Sequence, residues 1–265
     1  MSSYGLWLSA AGMKVNEHRQ TLLANNMANA QTTGFKHDFA VVMQRRVESK
    51  EDPGGLPFAH PVLDGLPGGV NVLPAYHSAE QGPIEWTGKP LDVAIQGDGF
   101  FAVNDGEETR YTRNGEFTTN AQGELVMANE AGRWRVLDEG GTPIRVDEAG
   151  GEVEVSDGGT VRQGNAVVGK IGLMTNEDPR SLRKVGENLF EAVGRADQGG
   201  RVPGGEMKPA NGRLISGSRE GSTFDAMQGL ATMIEASRAY QMNASMIQLQ
   251  DQLTQQAVTT LGRVA

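Results

Sequence analysis

Cysteine is absent from all 265 residues, which excludes a disulfide framework, a thiolate metal site, an iron–sulfur cluster and a cysteine nucleophile. Aromatic residues make up only 6% and hydrophobic types 38%, so the cores this chain can build are modest. Cations are outnumbered, 24 Lys and Arg against 33 Asp and Glu, for a formal charge of −9. A surface of that sign does not suit a phosphate backbone, and no nucleic-acid partner is expected. Mean hydropathy is −0.41 and no apolar run reaches the roughly 18 residues of a spanning helix, so no direct membrane insertion is expected. Residues Met1 to Ala10 carry no basic stretch ahead of a long apolar one and do not read as a cleaved signal peptide.

The usual catalytic signatures are missing as well: there is no G-x-S-x-G elbow, no Walker loop and no H-E-x-x-H. His18, His37, His60 and His77 show no paired metal-ligand spacing. Gly97-Asp-Gly99-Phe-Phe-Ala102 formally matches a dinucleotide fingerprint, but that motif needs a helix whose N-terminus faces the pyrophosphate. Here the following residues alternate and end in Asn104-Asp-Gly106, a hairpin signal. Carboxylate pairs such as Glu107-Glu108 and Asp147-Glu148 flank turns, where they serve solvation. No enzyme, cofactor or metal is expected.

What is plentiful is glycine, 36 residues, and it is unevenly spread. Glycine and proline are sparse from Leu6 to Val47, dense from Pro53 to Gly221 and nearly absent from Ser222 to Leu261. That order predicts helix, then loops and strands, then helix. Leu8, Ala11, Val15 and Leu22 recur at helical spacing, predicting a helix from Ser3 to about Asn29 that stops before Thr32-Thr33-Gly34. Leu230, Met233, Ser237, Tyr240, Ala244, Ile247, Asp251, Thr254, Val258 and Leu261 follow three-four spacing, a heptad seam interrupted by polar residues. A second row, Met242, Met246, Leu249 and Leu253, widens the apolar face beyond what one partner helix covers. From Thr223 to Leu261 only Asp225, Glu235, Arg238 and Asp251 are charged, which predicts packing on most sides.

Between the helices, turn signals recur at strand spacing: Asn104-Asp-Gly106, Asn114-Gly115, Asn120 to Gly123, Asp138 to Gly141 and Asp157-Gly-Gly159. They predict a hairpin-rich all-β body, with strands at Leu91 to Ile95 and Phe100 to Val103. Glu48 to Gly82 and Gly194 to Gly212 read as long loops or segments ordered by contacts. The amides of Asn25-Asn26-Met27-Ala28-Asn29 have two readings: a helix stop, or a contact surface of polar groups that can be buried once hydrogen-bonded.

Several of these segments resemble a known family. Ala24-Asn-Asn-Met-Ala-Asn-Ala-Gln-Thr-Thr-Gly-Phe-Lys36 resembles the N-terminal signature of the bacterial flagellar axial proteins, those of the rod and hook. Leu91 to Phe101 (LDVAIQGDGFF) is similar to the family's second motif, Tyr111 to Phe117 (YTRNGEF) to its third and Met233 to Asn243 (MIEASRAYQMN) to its C-terminal helix motif. In the lead-in to that helix, Glu220 and Ser222 match while Arg219, Thr223 and Phe224 depart.

The resemblance implies a basal-body rod protein, a structural subunit required for motility that polymerises with itself and joins other rod and hook proteins. It implies a mainly β fold with long terminal helices pairing in a coiled-coil-like layer around a central β domain. It further implies location in the flagellar basal body across the periplasm, reached through the flagellar export apparatus. The expected domains are 1–47 with 217–265 for helical assembly, 48–90 as a linking segment and 91–216 as the β domain. Expected subunit-interface residues are Leu8, Val15, Leu22, Asn25, Asn26 and Asn29 with Leu230, Met233, Ile234, Tyr240 and Ile247; Gly97, Gly99, Arg113 and Gly115 are expected to hold turns. The alternatives are a hook-type axial subunit and a secreted β-rich binding or adhesin module.

Overall fold

The computed structural model describes residues 2–44, 69–128, 132–147, 150–176, 181–186, 188–194, 202–203 and 206–261. They divide into two compact units, one within Met1–Ala28, Asp38–His77 and Asp225–Ala265, the other within Asn29–His37 and Ser78–Phe224. The chain therefore crosses between units at four places. Residues 38–44 and 70–77 pair with one another as strands of the helical unit.

The helical unit is built on α1 (Ser2–Ala28) and α2 (Ala226–Leu261), which pack together. Ala, Leu, Met and Gln dominate α2, all strong helix formers, and its 36 residues run to about 54 Å. Its start is set by Asp225, whose Oδ1 accepts the free amides of Met227 at 2.8 Å and Gln228 at 3.3 Å. Two short antiparallel ribbons complete the unit, Asp38–Phe39 with Tyr76–His77 and Val42–Gln44 with Val70–Val72. The expected loop from Glu48 to Gly82 thus contains strands at its end, while 48–68 lie outside the described residues.

The second unit is antiparallel β throughout its described strands. Phe100–Asn104 is central, pairing with Thr109–Thr112, Arg135–Val136 and Leu173–Thr175. Leu125–Met127 links Arg135–Val136 to Phe117–Thr119, and Leu189–Gly194 links Thr109–Thr112 to Leu182–Gly186. Val153–Val155, Thr160–Gln163 and Ala166–Lys170 form a meander. Val93–Gln96 pairs with Arg213–Ser216, and Ile84–Trp86 with Ser218–Glu220. The core gathers Val93, Ile95, Phe101, Val103, Leu125, Met127 and Val136, all without solvent access. Phe101 meets Phe117 edge to face at 5.1 Å between centroids.

Turn chemistry legible in the sequence operates as local hydrogen bonding. Asn120 Oδ1 accepts the amides of Gln122 and Glu124 at 3.0 and 2.8 Å, and Asp138 Oδ1 those of Gly140 and Thr142, both at 2.8 Å. Asn114-Gly115 differs from the hairpin expectation, because the strands on either side of it pair with other partners. Val93 donates its amide to the Gly115 carbonyl at 2.9 Å, and a methyl group at Gly115 would lie 1.8 Å from the Val93 carbonyl oxygen. Gly97 is needed for another reason: its φ is +92°, yet nothing lies within 4 Å of where a methyl would sit.

These two glycines predict unequal costs. Gly115→Ala forces backbone apart in the core and should lower stability by about 4 kcal/mol or prevent folding, against about 1–2 kcal/mol for Gly97→Ala. Denaturant unfolding of both variants checks the order, and a costlier Gly97→Ala would refute the close-approach argument. At the Asn104–Glu108 turn, amides of Glu108 and Glu107 and then Arg133 hold the Asp105 carboxyl down from its ordinary 3.8 to about 2. The stabilisation is present above pH 3.8 and is lost as pH falls through about 2. An NMR titration of Asp105 should find its midpoint near 2; a midpoint at 3.8 would remove this contribution.

Candidate assembly face and a buried ion cluster

The two helices run antiparallel. A methyl at Gly5 would lie 2.7 Å from the Gln250 amide nitrogen, and one at Gly12 would lie 2.9 Å from Asn243 Oδ1. These two close approaches share one register. At equal rise per residue it sets Leu8 level with Ile247, Val15 with Tyr240 and Leu22 with Met233. Val15 is buried and the other five are half-buried, so these expected interface residues fall on the facing sides of the helix pair.

Opposite that seam, α2 carries a second apolar row. Met227, Leu230, Ile234, Met242, Met246, Leu249 and Leu253 are all exposed, Met227 at 78% and Met242 at 69%. Their spacings of three, four and eight keep the row on one broad side of the helix. Leu230 and Ile234 of the expected interface set belong here. The helix is thus apolar on two faces, one of them occupied by α1.

The amides part company. Asn26 is buried, donates from Nδ2 to the Asp38 carbonyl at 2.7 Å and accepts the Asp38 amide on Oδ1 at 2.9 Å. The chain after the helix stop is docked back on α1 by this side chain, acting as a strand edge would. Asn25 is exposed, and Asn29, beyond the helix end, accepts from Thr32 on its carbonyl at 3.1 Å.

Sequence reasoning passed over a cluster inside the β unit. Glu220 has no solvent exposure, and Lys36 and Arg113 have 2% and 4%. Lys36 Nζ donates to Glu220 Oε1 at 2.7 Å and to the Glu80 carbonyl at 2.5 Å. The Gly82 amide donates to the same Oε1 at 2.9 Å, and Arg113 Nη1 to Oε2 at 3.2 Å. Arg113 also donates from Nη2 to the Gly97 carbonyl at 2.9 Å and lies 5.2 Å over the Phe100 ring. Burial pushes the Lys36 ammonium below its ordinary 10.5, with Glu220 opposing that shift. Removing one partner from such a pair leaves a buried charge uncompensated, at a cost of ~3–5 kcal/mol.

The cluster collects segments far apart in sequence. The Gly34 amide donates to the Glu220 carbonyl at 2.7 Å, and Gly34 (φ +68°) sits where a methyl would lie 2.5 Å from the Arg113 backbone. So Gly34, expected to stop α1, is demanded by this approach, six residues after the helix has ended at Ala28. Arg113, expected to hold a turn, spans from Gly97 to Glu220. No spacing rule joins Lys36 to Glu220; only their presence in separate motifs hinted at a role. Gly99 (φ +136°) turns the chain between Val93–Gln96 and Phe100–Asn104.

A cavity of about 330 Å³ in the β unit is lined by Ile171, Leu173, Met174, Pro209, Ala210 and Leu214 among others, with Glu139 and Lys170 paired at 2.7 Å. Among the described residues, no three His, Asp or Glu are grouped to hold a metal ion.

Known proteins share stretches of this sequence. The family model "Flagellar hook protein FlgE/F/G D1 domain" matches residues 94–163, and "Flagellar basal body rod FlgEFG protein C-terminal" matches residues 215–260. The chain is 35% identical to flagellar basal-body rod protein FlgF of Caulobacter vibrioides, over 92% of its own length and 91% of that protein's. It is 31% identical to flagellar basal-body rod protein FlgG of the same organism, over 93% and 95%. With flagellar basal-body rod protein FlgF of Mesorhizobium japonicum it shares 30% identity over 97% of each chain.

The geometry predicts that Asn26→Ala loses two half-buried hydrogen bonds and about 2 kcal/mol. Faster hydrogen exchange at the Asp38 amide checks it, and unchanged protection there would show the bonds to be dispensable.

Proposed function

The chain belongs to the family of bacterial flagellar rod and hook proteins, and on that ground we propose that it is a structural subunit of the basal-body rod. There it polymerises through its terminal helices into the shaft that carries torque to the hook, and motility requires it. The relatives named above are rod proteins matched over nearly their whole lengths, which favours the rod over the hook.

The observation that carries the reading is the second apolar face of α2. Burying the exposed halves of its seven large side chains is worth roughly 1 kcal/mol each, about 7 in all. Association costs an estimated 4–15 kcal/mol in lost freedom, so one neighbour gives a marginal contact and several are needed. Head-to-tail contacts that do not close into a ring supply several and generate a helical polymer. In it the helices of successive copies form a coiled-coil-like layer, with exposed Asn25 and the Gln-rich stretch of α2 as uncharged polar contacts. Such an interface is insensitive to ionic strength, as a shaft under torque needs. The flagellar export apparatus is the proposed route to the basal body, and the absence of cysteine suits that passage.

Ile234→Asp and Leu253→Asp should leave the purified chain folded, with stability changed by no more than about 0.5 kcal/mol, yet remove it from isolated basal bodies. Ile247→Asp, on the seam facing α1, should lower helix content as well. Electron microscopy of basal bodies from the variant strains and circular dichroism of the proteins check these outcomes; normal rods containing Leu253→Asp would refute the second-face argument. In a deletion strain the rod should end short and carry no hook, the stub length separating a proximal from a distal position.

A further inference from the structure

The Lys36–Glu220–Arg113 cluster lies beside the places where the chain leaves the β unit. The Thr223 amide donates to the Phe35 carbonyl at 3.0 Å, and the His37 amide donates to Thr223 Oγ1 at 2.9 Å. The Ser78 amide donates to the His37 carbonyl at 2.8 Å, and the rings of His37 and Phe224 lie 6.3 Å apart. Three of the four crossings, after His37, before Ser78 and after Phe224, are therefore bonded to one another inside this unit. Each is within four residues of a member or direct partner of the cluster: Lys36, Glu80, Gly82 or Glu220. Glu220 Oε1 joins the first two segments, its carbonyl holds Gly34, and its Oε2 anchors all of them through Arg113 to Gly97 and the central sheet.

We propose that Glu220, with Lys36 and Arg113, is a mechanical clamp that makes these crossing segments enter the β unit as one element, so that load on any one of them is shared by all. A hydrogen-bonded strand pulled from its end opens one bond at a time; charge-assisted bonds from three segments to one buried carboxylate must open together. Arg113 is a positioning residue in this arrangement, carrying the clamp into the sheet. The mechanical part rests on the rod reading, whereas the local linkage does not.

The test is amide hydrogen exchange on the full chain carrying E220Q or K36M. The clamp predicts exchange at Gly34, His37, Ser78, Gly82 and Thr223 accelerated by at least about tenfold more than at the core amides of Val103, Leu125 and Val136. Equal acceleration in both sets means general destabilisation and overturns the clamp, as does unchanged exchange at the crossings. If E220Q lacks core protection, K36M decides by the same criterion. For the mechanical part, strains carrying K36M should build hooks and swim in dilute medium but lose speed in viscous medium. Normal speed under load, with local opening present in exchange, overturns the load-sharing role. Normal rods and hooks in a strain lacking the gene would instead sink the rod reading and leave the exchange result standing.

Discussion

A carboxylate with no access to water sets the terms for the β unit. Glu220 carries its charge into a low-dielectric interior, where an unpaired ion costs several kcal/mol, and every lone pair must find a donor. Its donors come from Lys36, Gly82 and Arg113, stretches that the sequence separates by up to 184 residues. Satisfying the charge therefore forces the start and end of the unit together. The sheet order between them, with Val93–Gln96 beside Arg213–Ser216 and Ile84–Trp86 beside Ser218–Glu220, is the backbone's share of the same closure.

The helical unit has the opposite character. The β unit closes its own core around Phe101, Leu125 and Val136, whereas α2 presents one apolar face to α1 and leaves the other uncovered. A helix this long with few charged residues is stable only where its faces are covered. An uncovered apolar helix face in one unit and a closed core in the other is the physical form of an assembling subunit.

Helix and strand content was legible because each depends on local periodicity. The three-four spacing from Leu230 to Leu261 has its helix at Ala226–Leu261, and the turn residues at Asn120 and Asp138 have their side-chain hydrogen bonds. Pairing was less legible. Asn114-Gly115 carries a hairpin signal, yet its neighbours pair elsewhere, because the need to pack against Val93 overrides local turn preference. Gly34 looked like a helix stop and serves the approach to Arg113. Among the amides, Asn25 and Asn26 are indistinguishable by type; which one turns inward is set by the angle of α1 and the return of the chain at Asp38.

By itself, then, the sequence determined the element types, the absence of thiol chemistry and the surplus of apolar surface on the last helix, all of which follow from composition and short-range spacing. Only the tertiary structure decided that Leu8, Val15 and Leu22 share a level with Ile247, Tyr240 and Met233, and that Lys36, Arg113 and Glu220 meet. Those are long-range choices. They are made by antiparallel packing and by the cost of an unpaired buried charge, neither of which leaves a periodic trace along the chain.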